Sequence, residues 1–157
     1  MNKIFILLSL SVLLFGVEPL KVDSALSALD DYEYFTPKGK TLKIPAQTVL
    51  ILVTFEKSTS DLLNDYLKTK NKYYLQQNKL VYIADISRTP RVITNMFALP
   101  KLKKLKHLIY LQYGKKFRHR IPNKDNTITL LRVKDGQITN IVYATNTEEI
   151  QGAIEQK

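Results

Sequence analysis

Residues 48–67 read TVLILVTF, then EKSTS, then DLLNDYL. Six of the first eight are strongly apolar and several are β-branched, a composition suited to a strand buried on both faces in the middle of a parallel sheet. The spacing then turns helical: Leu62, Leu63, Tyr66 and Leu67 share a face, and Ser58, Thr59 and Ser60 each suit an N-cap. The stretch predicts a strand, a five-residue loop and an amphipathic helix. In an open α/β sheet such a loop lies at a strand's carboxyl end and a helix's positive end, where ligands are normally held. Here it carries hydroxyls and no thiol.

Working outward, residues 79–86 repeat the continuous apolar pattern through Leu80, Val81, Tyr82, Ile83 and Ala84, predicting a second buried strand and a right-handed βαβ unit. Upstream, Tyr32 to Phe35 and Thr41 to Ile44 alternate around Pro37, Lys38 and Gly39, a hairpin pattern. Downstream, Thr89 and Pro90 predict a helix entry, Val92, Ile93, Met96 and Phe97 share one face, and Pro100 predicts a stop or kink. Residues 107–112 read as a third apolar strand. Residues 127–133 and 138–143 flank Asp135 and Gly136 as a closing hairpin. Thr145, Asn146 and Thr147 before Glu148 and Glu149 predict a capped final helix.

At the start, Lys3 and the apolar run 4–17 have the form of an export signal, too short for a membrane span, with Val22 and Ser24 at positions −3 and −1 of a cleavage site. The expected division is 1–24 signal peptide and 25–157 single domain, with an uncleaved anchor as the alternative, and a periplasmic or secreted location. The chain has no cysteine, so disulfides, thiol redox chemistry and thiolate metal sites are excluded. The formal charge of +10 survives cleavage, because Lys3 and Lys21 offset Glu18 and Asp23. It is concentrated in Lys101, Lys103, Lys104, Lys106, Lys115, Lys116, Arg118 and Arg120, with no Asp or Glu between them, while the other 16 basic residues nearly balance 14 acidic ones.

The order hairpin, βα, βα, β, excursion, β-hairpin, α resembles the thioredoxin fold in its peroxiredoxin-type elaboration. DDYEYFTPKGKTLKIP is similar to the opening strand pair of peroxiredoxins, TVLILVTF to the first core strand, HLIYLQ to the strand before the excursion and ITLLRVKDGQITNIVYA to the closing hairpin. VYIADI with ITNMFALPKLKKLKHLIYL also looks like the small periplasmic YtfJ-type proteins. The resemblance implies an α/β, thioredoxin-like three-layer α/β/α architecture with a mixed central sheet and an N-terminal hairpin. It also implies a reactive thiolate in the first helical turn after the core strand, where a helix end and an arginine lower its pKa. This chain has Lys57, Ser58, Thr59, Ser60 and Asp61 there. A thioredoxin-type cis-proline directly before a core strand is missing as well.

Two candidate sites follow. Ser58, Thr59 and Ser60, with Asp85 and Arg88 at the end of the neighbouring strand, form a candidate polar pocket suited to an anion; the alternative is that they cap helices and solvate loops. The eight cations from Lys101 to Arg120, interleaved with Tyr110, Tyr113 and Phe117, form a candidate anion-binding surface; the alternative is a solvated face that blocks edge pairing. Inside a cell the second would suggest nucleic acid. After export the fitting partners are anionic lipid, acidic glycan or an acidic protein, and a membrane surface is among them. Replacing Lys103, Lys104, Arg118 and Arg120 with Gln is expected to leave folding intact and abolish binding. No metal site is expected from two histidines and scattered acids, and no cofactor, since none of the five glycines stands in G-x-G-x-x-G spacing. The leading reading is a non-enzymatic binding domain. The competing one is an enzyme on the same scaffold, either a cofactor-dependent oxidoreductase or a hydrolase using Ser58 or Ser60.

Overall fold

The protein is described by a computed structural model covering residues 16–156. Seven strands form one mixed sheet: β1 (Tyr34–Phe35), β2 (Thr41–Leu42), β3 (Leu50–Thr54), β4 (Leu80–Asp85), β5 (Tyr110–Gln112), β6 (Ile128–Lys134) and β7 (Gln137–Ala144), in the order β2-β1-β5-β4-β3-β6-β7. The parallel pairs are β3–β4 and β4–β5; every other neighbouring pair is antiparallel. Every residue of β3, β4 and β5 is buried, as the continuous apolar runs require of strands covered on both faces.

Alternation along β3 divides the core in two. Leu50 and Leu52 meet Leu63, Tyr66 and Leu67 of α1 (Lys57–Lys68), Leu75 of α2 (Tyr74–Gln77) and Ile150 of the C-terminal helix Thr147–Glu155. Ile51 and Val53 meet Leu29, Tyr34, Leu131 and Phe117 on the other side. This is the expected three-layer α/β/α arrangement with its N-terminal hairpin. In the closing hairpin Asp135 (φ 51°) and Gly136 (φ 73°) both take left-handed backbone, as a two-residue turn matched to the strand twist demands.

Two local expectations are corrected. First, α1 starts at Lys57, with Glu56 as a cap residue that makes no side-chain cap bond. Ser58, Thr59 and Ser60 are thus inside the first turn, and the five-residue loop shrinks to Phe55 and Glu56. The Thr59 hydroxyl donates back to the Glu56 carbonyl at 3.0 Å, a local bond that lets a threonine sit inside the helix. Second, Pro100 does not stop the helical run after β4. That run passes through α3 (Arg91–Ile93), a π-helical stretch (Thr94–Ala98) and α4 (Leu99–Leu102). Pro100 occupies the first turn of α4, where a missing N–H costs least, and the π-helical stretch just before it is where the hydrogen-bond ladder adjusts. The basic segment between β5 and β6 folds as the short helix α5 (Lys115–Arg120).

The first 15 residues of the expected signal lie outside the described residues. From Glu18 onward the chain is joined to the domain. The Leu20 amide donates to the Arg120 carbonyl at 2.7 Å, Asp23 N–H to the Ile138 carbonyl at 2.8 Å, and Leu20 is buried with Leu26 and Leu29. The segment ending at Ser24 therefore covers part of the sheet face on which Tyr34 and Phe117 pack.

Candidate anion-binding site

Parallel β4 and β5 bring their carboxyl ends side by side, and the residues after each strand meet there. After β4 come Ser87, Arg88, Thr89 and Pro90; after β5 come the residues of α5. Together Ser87, Arg88, Thr89, Pro90, Lys115, Arg118 and His119 line a cavity of about 540 Å³. Three of the seven are permanent cations and none is acidic.

Asp85, which is not among these lining residues, ends β4 two residues before Ser87, its side chain 1 % exposed. One carboxylate oxygen accepts the Ser87 amide at 2.9 Å. The other, Oδ2, has no hydrogen-bond donor, and neither does the buried Ser87 hydroxyl. The nearest cation to Oδ2 is Arg118, whose Nη1 stands 3.9 Å away, too far for a hydrogen bond. That guanidinium instead donates to the Phe55 carbonyl at 3.3 Å and lies over the Phe55 ring, 5.1 Å from its centroid. Burial pushes the Asp85 carboxyl above its ordinary pKa, against the pull of the Ser87 amide bond, Arg118 and Arg88.

A second, larger cavity of about 640 Å³ lies between α1 and the 91–102 arm, with Phe55, Ser60, Asp85, Ile93, Phe97, Lys101 and Leu102 among its lining. Thr89 borders both cavities. Near this groove Ser60 donates to Thr54 Oγ1 at 2.8 Å, and Thr54 reaches the Tyr82 hydroxyl at 3.5 Å. The Tyr82 phenol is raised above its ordinary pKa by burial, so this hydroxyl chain stays neutral.

The expected polar pocket is thus divided. Ser60 and Asp85 border the groove, Arg88 lines the cationic cavity, Thr59 is buried against Glu56, and Ser58 is exposed. The eight-cation surface is divided too. Lys115 and Arg118 line the cationic cavity, Lys101 and Lys104 border the groove, and Lys106 donates to the Lys68 carbonyl at 3.0 Å. Lys103 and Lys116 are exposed, and Arg120 donates to the Glu18 carbonyl at 2.5 Å. Arg118 and Arg120 each donate to a backbone carbonyl elsewhere in the chain, a bond that their replacement by Gln would remove. Sequence reasoning missed Ser87, Thr89 and His119. Their signal was positional: each follows the carboxyl end of a parallel strand, where neighbouring loops converge.

The histidines offer no partner for a loop serine. His107 Nε2 is 2.9 Å from the Asn71 carbonyl, and burial lowers its pKa; His119 lines the cationic cavity, whose lining includes neither Ser58 nor Ser60. No cis peptide bond occurs among the described residues, and Pro100 lies within α4, not ahead of a strand.

No family model matches the chain, and no curated protein does. Solved structures do. A candidate protein disulfide isomerase of Bacteroides thetaiotaomicron superposes with a TM-score of 0.54 at 14 % identity, covering 89 % of this chain and 87 % of its own. A candidate thioredoxin of Neisseria meningitidis gives 0.52 at 17 % identity, with 86 % and 93 % covered. Peroxiredoxin Q of Xanthomonas campestris gives 0.51 at 11 % identity, with 87 % and 96 % covered. The chain therefore has a thioredoxin-like fold, and with no cysteine in its sequence it carries that fold without redox thiols.

Proposed function

We propose that this protein is an exported, non-enzymatic binding domain that receives an anionic group at the carboxyl edge of its sheet. The observation that carries the reading is the cavity walled by Arg88, Lys115, Arg118 and His119 with no acidic residue in its lining. Ser87, whose buried hydroxyl makes no hydrogen bond, is among its lining. Buried polar groups are normally satisfied, and a bound phosphate, sulfate or carboxylate would accept a hydrogen bond from the Ser87 hydroxyl. Export rests on Lys3 and the apolar run that follows it. The lack of cysteine removes the thiol reaction that this scaffold supports elsewhere.

Calorimetric titration of the protein with inorganic phosphate at low ionic strength tests the reading. Saturable binding is expected, weakened at least tenfold when exposed Arg88 and Lys115 are both changed to Gln, and weakened again by added salt. Phosphate that fails to bind at low ionic strength, or binds the double variant equally well, contradicts it.

A further inference from the structure

The arm after β4 carries an apolar face that the domain does not cover. Val92 is 65 % exposed, Met96 63 %, Phe97 59 % and Ile93 46 %. Four of the nine large hydrophobic residues exposed among the described residues therefore fall within six positions. Spacing of four pairs Val92 with Met96 and Ile93 with Phe97 in adjacent rows, the second pair also lining the groove that faces α1. Burial in the domain's own core would be the expected fate of such a face, and concentrated exposure of this kind marks an interaction surface.

The charge around the arm identifies its partner. Between Ile86 and Lys124 there are eleven Lys and Arg residues and no Asp or Glu, while the rest of the chain has 13 cations against 14 acids. Arg88 and Arg91 precede the apolar face; Lys101, Lys103 and Lys104 follow it. Short apolar side chains projecting between cations match an anionic bilayer surface, where they enter the boundary beneath the headgroups while the cations meet phosphate. No described helix is long and apolar enough to cross a membrane. We propose that residues 91–104 seat this domain on an anionic lipid bilayer, with Val92, Ile93, Met96 and Phe97 entering the interface. The proposal rests on the anion-binding reading for its charge and adds an insertion that headgroup binding alone does not require.

The chain contains no tryptophan, so Phe97→Trp gives a reporter that sees only the arm. On vesicles containing phosphatidylglycerol its emission is expected to shift to the blue and to be quenched by brominated acyl chains. On pure phosphatidylcholine vesicles neither change is expected. Adding Val92→Ser and Met96→Ser to the reporter should abolish both signals, with the circular dichroism spectrum unchanged. The proposal is overturned by no shift on anionic vesicles, by equal shifts on the neutral ones, or by a shift that survives the double serine change. A shift without lipid, from association of copies through this face, overturns it as well. Phosphate binding retained without insertion sinks the membrane proposal alone; loss of both sinks the anion-binding reading too.

Discussion

Asp85 holds one oxygen on the Ser87 amide and leaves the other without a donor, so its ionisation governs both stability and the polarity of the cavity. Its folded pKa is raised, mainly by burial. As pH climbs through the ordinary carboxylate range, the unfolded chain releases this proton before the folded one does. Folding then loses stability until the pH passes the raised folded value, and no more is lost above it. Asp85→Asn removes this loss, so the variant's melting temperature is expected to fall less than that of the parent between pH 4 and pH 7. Parallel curves for the two proteins would contradict the assignment. Arg118 stacks on Phe55 beside this carboxyl, and Arg118→Gln is expected to destabilise the fold as well as weaken anion binding, unlike the exposed Arg88 and Lys115. At the final helix, Asn146 accepts the Glu149 amide at 2.9 Å while Glu149 accepts the Thr145 amide at 2.6 Å. This reciprocal cap leads us to expect a loss of about 1 kcal/mol for Asn146→Ala in a urea denaturation series.

Among the elements, those buried on both faces were legible. Continuous apolar runs located β3 and β4, and the Asp-Gly turn located the β6–β7 hairpin, because in each case one local pattern has one stable use. The start of α1 was not legible, since Ser58, Thr59 and Ser60 cap as readily as they begin a turn, and only the contacts of Ser60 with Thr54 and of Thr59 with Glu56 decide between the two. The arm misled for another reason. Its helical spacing predicts a face, but not whether the rest of the domain has surface left to cover that face. The candidate site was half visible: Asp85, Arg88, Lys115 and Arg118 were all singled out, but in two separate groups, because their meeting depends on the parallel pairing of β4 with β5. The N-terminal segment makes an independent prediction. Leu20 fills the core beside Leu26 and Leu29, so Leu20→Ala should cost about 2–5 kcal/mol by chemical denaturation. A chain beginning at Ala25 should be less stable than one beginning at Val17. We propose accordingly that any processing of the leader occurs before Glu18, which mass determination of the exported protein would check; a mature terminus at Ala25 would refute this.

For the whole molecule, the carboxyl edge of a thioredoxin-like sheet carries hydroxyls, one buried carboxyl and a group of cations, with no thiol. The charge imbalance belongs to that edge and to the helical arm and α5 around it, while the remainder of the chain is close to neutral. Such segregation orients a molecule toward an anionic partner before contact is made, so association with anionic vesicles should slow as ionic strength rises. The purified protein is also expected to leave peroxide and insulin disulfides unreduced in the presence of dithiothreitol at rates above the reagent's own; enzyme-dependent turnover would contradict the reading. The most direct test is to follow backbone amide resonances during titration with inorganic phosphate at low ionic strength. The account predicts saturable shifts concentrated at Ser87, Arg88 and Thr89 and from Lys115 to His119. Shifts confined to Lys101–Lys106, or scattered evenly over the surface lysines, would contradict it.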